Sequence, residues 1–179
     1  MAEVRDLEML AALEEEYGIE VSQGGGTIPD GGYHGFISEE SEVRESSRTG
    51  APRLMVKVEI DQPEDYAGRK PTDFYGWFAS DAEKTKTVRG MFLGLVQDIL
   101  KSNPDVPSED VVEAFRQLPK GIGSDAYAEA HDALTAIRDV LVGYGVYLVT
   151  RTKEDQTRFY FVEPSDKRVR SLSEEPATV

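Results

Sequence analysis

The sequence predicts an α+β fold in which helices cover an antiparallel sheet. One segment, residues 53–60, alternates strictly between polar and apolar side chains, which is the pattern of a half-buried strand. Three later segments repeat apolar side chains at helical spacing. The last patterned stretch is typical of a β-hairpin, because both arms around residues 153–156 are rich in Val, Tyr, Phe and Thr.

The N-terminal residues predict a helix followed by a linker. Residues 3–17 place five apolar side chains on one helical stripe: Val4, Leu7, Leu10, Ala11 and Leu13. Residues 22–32 contain five glycines and a proline, which leave too little side chain to pack. We therefore expect an N-terminal unit over residues 1–28, separated from the sheet by a domain boundary.

Three strand candidates then follow as a meander, at residues 33–38, 53–60 and 72–79. In the second candidate, one face is apolar and consists of Leu54, Val56, Val58 and Ile60. In the third, the same alternation separates Phe74 and Phe78 from Asp73, Tyr75 and Trp77. An aspartate side chain favours contact with solvent. We therefore expect the face that carries Asp73 to be solvent-exposed, and with it the side chains of Tyr75 and Trp77.

Helical spacing predicts helices over residues 83–101, 108–118 and 125–142, the first of them covering the dry face of the sheet. Residues 171–179 are polar and acidic, and predict a disordered tail. The expected organisation is therefore a sheet with its covering helix over residues 29–103, and a helical segment with a hairpin over residues 104–170.

The composition excludes several classes of function. The chain has no cysteine and two histidines, which argues against thiolate metal sites and cysteine nucleophiles. We find no pairing of a nucleophile with a base and no phosphate-binding loop, so we expect neither an enzyme nor a cofactor nor a metal site. The sequence has no apolar run long enough for a membrane helix and no signal-peptide pattern. We therefore expect a cytoplasmic protein, located in the host cell if it is phage-encoded, without a membrane partner.

Charge is distributed unevenly along this acidic chain, which carries 34 acidic and 20 basic side chains. Residues 1–50 hold three basic and twelve acidic side chains, whereas residues 51–90 and 151–179 are locally neutral and hold thirteen of the basic ones. A basic face can therefore exist on a molecule that repels polyanions at long range.

The wet face of the predicted sheet carries the candidate nucleic-acid-binding residues. It combines Arg53, Lys57, Tyr75 and Trp77 with Phe36 and His34 from the first strand. The flanking cations are Arg69, Lys70, Lys84, Lys86 and Arg89. Bases stack on aromatic rings for about 1–3 kcal/mol each while cations track phosphates, so this set predicts binding of a single strand. The alternative is that Tyr75 and Trp77 pack beneath the N-terminal helix or the C-terminal hairpin.

Four segments also carry a resemblance to a known family. They are PDGGYHGFI from Pro29, ESSRTGAPRLMVKVEI from Glu45, YAGRKPTDFYGWF from Tyr66 and TVRGMFLGLVQDIL from Thr87. In this order they resemble the small OB-fold single-stranded DNA-binding proteins of tailed bacteriophages. The resemblance implies an OB-like antiparallel barrel and single-stranded DNA binding in phage replication or recombination, with proteins of those processes as further partners.

Two other functions stay open at this point. One is a phage virion or assembly protein that makes protein–protein contacts through its helices. The other is an acidic regulator of a host protein. The sequence also leaves open a homo-oligomer and the choice between DNA and RNA.

Overall fold

The computed structural model describes residues 28–153 and 156–173, which form one six-stranded antiparallel sheet and four helices. The strands are β1 (Gly31–Ile37), β2 (Glu42–Glu45), β3 (Pro52–Gln62), β4 (Thr72–Gly76), β5 (Gly145–Lys153) and β6 (Gln156–Val162). The helices are α1 (Ala82–Ser102), α2 (Ser108–Arg116), α3 (Tyr127–Leu141) and α4 (Arg170–Ser173). The predicted α+β class is confirmed. The predicted N-terminal helix and the tail from residue 174 lie outside the described residues.

The strands lie in the order β4, β3, β1, β5, β6, and β2 pairs with β3 just beyond the end of β1. Between β1 and β2 the chain bulges away from β3 and the backbone pairing is interrupted. There the side chain of Ser41 makes hydrogen bonds to the backbone of β3 in place of that pairing. The Ser41 hydroxyl donates to the Lys57 carbonyl at 3.2 Å and accepts from the Lys57 N–H at 3.0 Å. Strands β1 and β2 therefore act as one interrupted strand along β3.

The sheet is open, because no backbone pairing joins β4 to β6 in the part of the chain that the structure describes. The OB-like barrel is therefore not confirmed. The predicted hairpin is present as β5 and β6, and β5 pairs with β1 along its length, from Gly31 opposite Thr150 to Phe36 opposite Gly145. The hairpin thus shares one sheet with the meander.

The core lies between the helices and one face of the sheet, which we call the inner face. Its residues from β3 are the predicted apolar set, Leu54, Val56, Val58 and Ile60, all at most 1% exposed. Helix α1 contacts β4, β5 and β6, and α3 contacts β2 and β3, while α2 packs on α3. The expectation that the first helix covers the dry face is confirmed.

The predicted orientation of the third strand is wrong. In β4, Tyr75 lies opposite Leu54 and Asp73 opposite Val56, so both side chains belong to the inner face. Phe74 lies opposite Met55, on the other side. The prediction failed because it took the aspartate as a sign of solvent, whereas part of the Asp73 carboxylate is satisfied locally by the Phe74 N–H at 2.9 Å.

The predicted exposure of Trp77 is also wrong. This residue follows the last residue of β4, and its side chain is 7% exposed. Its Nε1 donates to the Pro119 carbonyl at 2.8 Å, and its ring packs edge-on against Phe92 and Phe115. Trp77 is buried, as the alternative predicts, but the rings that cover it, Phe92 and Phe115, belong to α1 and α2 and not to the C-terminal hairpin.

Candidate nucleic-acid interface

The face of the sheet opposite the helices, which we call the outer face, carries three aromatic rings, and the middle one, His34, contacts the other two. Phe36 and His34 alternate along β1, and Tyr147 of β5 lies directly opposite His34. The His34 ring centroid is 5.4 Å from that of Phe36 and 4.7 Å from that of Tyr147. We call Phe36, His34 and Tyr147 the ring platform.

Two neighbours hold the ring platform in place. Gly145 lies opposite Phe36, and a Cβ added there would lie 2.9 Å from His34 Nε2, so only glycine leaves room for the imidazole. On the other side, His34 Nδ1 lies 2.6 Å from Asp61 Oδ1. With the imidazole fixed, the Phe36 ring stands out from the sheet and is 42% exposed.

Farther along the outer face, six residues of β3 from Glu59, the partner of Phe36, Arg53 covers an aromatic ring from β4. Its guanidinium carbon lies 4.8 Å from the centre of the Phe74 ring, which is a cation–π contact. Its Nε is buried and has no hydrogen-bond partner among the described residues. Arg53 is therefore on the outer face as predicted, but it is Phe74, and not Tyr75, that accompanies it.

Lys57 and Lys70 share one carboxylate. Lys57 Nζ lies 3.5 Å from Glu40 Oε2, and Lys70 Nζ lies 3.2 Å from Glu40 Oε1. The hydrogen bond from Lys70 holds the pKa of Glu40 below its usual value. Both predicted cations lie near the outer face, with half of their charge balanced by this glutamate. Arg69 lies in the loop before β4, where its carbonyl accepts from the Ile60 N–H.

The structure places the other predicted cations on α1, the helix that packs on the inner face. Arg89 donates to the carbonyls of Trp77, Lys120 and Gly121 at 3.0, 3.0 and 2.7 Å, and its guanidinium stacks on the Trp77 ring. It joins α1 to two loops and is a structural residue. Lys84 and Lys86 are exposed near the start of the same helix, and Lys84 lies 4.0 Å from Asp81.

Asp73 and Tyr75 form a polar pair on the inner face. The Tyr75 hydroxyl lies 3.5 Å from Asp73 Oδ2. Burial raises the pKa of Asp73, and it raises the pKa of Tyr75 well above its usual value. Tyr75 is therefore a packed residue whose ring is not available for stacking on a base.

The sequence prediction missed Tyr147 and Phe74. Tyr147 stands between the buried Val146 and Leu148, so alternation within the hairpin does place it on the polar side. Only the pairing of β5 with β1 brings it beside His34, and that long-range pairing leaves no local signal.

Comparison with known proteins gives no identification: no family model matches this chain, and no curated protein is significantly similar to it in sequence. Among the helices of the described residues, none combines the length and the apolar character that crossing a membrane requires.

Proposed function

We propose that this protein binds single-stranded DNA on the outer face of its sheet, with the bases stacked on the ring platform. The observation that carries the proposal is the contact cluster of Phe36, His34 and Tyr147, whose outermost ring is 42% exposed. Helices α1 and α3 pack on the opposite, inner face, whereas the segment after β6 crosses the outer face at Gly32, where Arg168 and Val169 cover it. Rings on an open sheet bind bases without reading their sequence, because every base has a π-face.

The connectivity of the sheet supports an OB-like fold as part of this proposal. If β1 and β2 count as one interrupted strand, five strand positions follow in the order β4, β3, β1, β5, β6, with the large helices between β4 and β5. The OB-fold is a five-stranded, partly open barrel that binds oligonucleotides on the face of its second and third strands. Those strands correspond here to β3 and β4, which carry Arg53 and Phe74.

A matched pair of variants tests the proposal. Phe36→Ala removes an outer-face ring, and Leu93→Ala removes an apolar side chain that is equally exposed, at 42%, on α1. We expect Phe36→Ala to weaken binding of labelled oligo(dT) roughly 5- to 100-fold in fluorescence anisotropy, the loss of one stacking contact. Leu93→Ala should bind as the unchanged protein does. Equal affinities for all three proteins would remove the ring platform from the interface.

The biological setting that we propose is phage replication or recombination, where single strands are exposed. Duplex DNA and RNA of the same length serve as comparison ligands in the titration. Tighter binding of duplex DNA would contradict a function based on stacking, because paired bases do not offer their faces to the ring platform.

A role in virion assembly is the second candidate, and one observation favours it. Four large apolar side chains are exposed outside the sheet: Met91, Leu93, Val112 and Ile122. Exposed apolar side chains such as these contribute to protein–protein contacts where they form a continuous patch. Co-purification of this protein with assembled particles, together with no affinity for oligo(dT), would favour this candidate over the first.

A further inference from the structure

The outer face ends, beside the hairpin, in a groove of about 990 Å³ that is rich in cations. We call it the hairpin groove. Its polar lining comes from β5, β6, the start of β1 and the segment after β6, and includes Arg151, Lys153, Arg158, Tyr160, Arg168 and Asp30. None of these residues belongs to the candidate site predicted from the sequence.

Two of the arginines form a like-charged cross-strand pair. Arg151 and Arg158 lie directly opposite each other on β5 and β6, so their side chains share one face. Like charges in this position destabilise a sheet. Among the described residues, no carboxylate lies within ion-pair distance of either arginine or of Lys153. Within the described part of the hairpin this is an unfavourable charge arrangement that a bound anion would relieve.

Among the described residues, two acidic side chains near the hairpin groove have hydrogen-bond partners of their own. The Asp30 carboxylate accepts from the Thr152 N–H at 2.7 Å. Asp166 forms two hydrogen bonds with the Arg168 guanidinium, at 2.9 and 2.8 Å, and these hold its pKa well below the usual range. Asp73 is close enough for Arg158 to lower its pKa, although burial raises it more. The described lining of the groove is therefore net positive, with Arg151, Lys153 and Arg158 against the single carboxylate of Asp30, while Arg168 is paired with Asp166.

An aromatic side chain stands beside these cations. Tyr160 lies opposite Val149 on the outer face, two residues from Arg158, and is 51% exposed. A ring next to arginines is the combination that binds a nucleotide through both its base and its phosphate. Free inorganic phosphate would use only the cations.

We propose that the hairpin groove binds the sugar–phosphate backbone of the same single strand whose bases stack on the ring platform. This inference rests on the proposed function. Phe36 and Tyr160 lie two strands apart and four residues apart along β5, a separation of about 17 Å in sheet geometry. A single strand of DNA must therefore exceed a minimum length before it reaches both the ring platform and the hairpin groove.

The test compares two lengths of oligo(dT), about 4 and 16 nucleotides, the limits of the site sizes of OB-folds. The double variant Arg151→Ser/Arg158→Ser removes the like-charged pair. The control, Arg116→Ser/Lys120→Ser, removes the same charge from two exposed residues on and after α2. Anisotropy titrations of both variants and of the unchanged full chain are run over a series of salt concentrations, after circular dichroism has checked that each is folded.

We expect the groove variant to bind the 16-mer roughly tenfold more weakly at low salt and to reduce the salt slope by about 1–2. The 4-mer should bind all three proteins equally, and the control should match the unchanged chain. An unchanged 16-mer affinity, or equal losses for both lengths, would overturn the inference while leaving the stacking function intact. If no protein binds either length, the proposed function itself fails.

Inorganic pyrophosphate distinguishes a free phosphate ligand from a nucleic-acid backbone. We expect it to displace the 16-mer only weakly. A large pyrophosphate-dependent rise in melting temperature that is lost in the groove variant, together with an unaffected 16-mer affinity, would assign the hairpin groove to a free polyphosphate instead.

Discussion

Trp77 is the residue that ties the end of β4 to the helical layer. Trp77→Ala removes its ring contacts with Phe92 and Phe115 and its hydrogen bond to Pro119, so we expect a loss of about 3–5 kcal/mol in the free energy of unfolding. Urea titration followed by circular dichroism measures it. Trp77→Phe keeps an aromatic ring and should lose less. If Trp77→Ala keeps its stability but loses affinity for oligo(dT), the indole is part of the interface after all.

Asp73 makes stability depend on pH. Burial raises its pKa in the folded chain, so the folded chain binds this proton more tightly than the unfolded chain does. The contribution of this group to stability is therefore highest below the usual pKa, and it falls as pH rises through the raised value. We expect Asp73→Asn to unfold at a higher urea concentration than the unchanged protein at pH 7, and the difference to shrink below about pH 4. A lower midpoint at pH 7 would show that charge contacts stabilise the ionised carboxylate.

Trp77 and Asp73 also show why the orientation of β4 was not predictable from the sequence. The strand has five residues, and its alternating sets contain aromatic side chains on both faces, so hydrophobicity does not separate them. The prediction depended on Asp73, whose carboxylate accepts a hydrogen bond from the Phe74 N–H and is also within the electrostatic influence of Arg158 on β6. The influence of Arg158 is long-range in sequence and has no local signature.

At the scale of elements, the β5–β6 hairpin completes the sheet. It pairs with all but one residue of β1 and contributes Val146, Leu148, Phe159 and Phe161 to the core. We expect a fragment of residues 28–104, which holds β1–β4 and α1, to remain unfolded, whereas residues 28–173 should unfold cooperatively. Circular dichroism in urea compares the two. A cooperative transition in the shorter fragment would mean that the meander is a domain of its own.

Local pattern predicted most elements well. The alternation of β3 and the apolar stripe of α1 gave bounds close to those observed, because each contains enough residues to average over exceptions. Strand β2 was missed, since its four residues are short and polar and its position depends on the Ser41 bulge. The pairing of the hairpin with β1 was missed as well, because nothing local specifies a partner so distant in the chain.

At the scale of the whole molecule, the net charge of −14 conceals the arrangement of the cations. The outer face collects Arg53 and Lys57 from β3 and Arg151 and Arg158 from the β5–β6 hairpin, which lies far from β3 in sequence. The sequence could therefore predict that Phe36 and His34, two of the three platform rings, share a face of the sheet, while their binding function stays a prediction. It could not predict which aromatic side chains stay outside, since that depends on how β4 and β5 are oriented in the sheet.

The pairing of β1 with β5 also bears on how this protein is made. At synthesis rates of about 5–20 residues per second, β1 leaves the ribosome roughly 5–20 s before its partner strand exists. During that interval its edge is a template for pairing with other chains. Contacts between such distant residues also give a high contact order, which slows folding itself. The yield of soluble protein should therefore rise when the chain is produced at low temperature and low expression level, where nascent chains seldom meet.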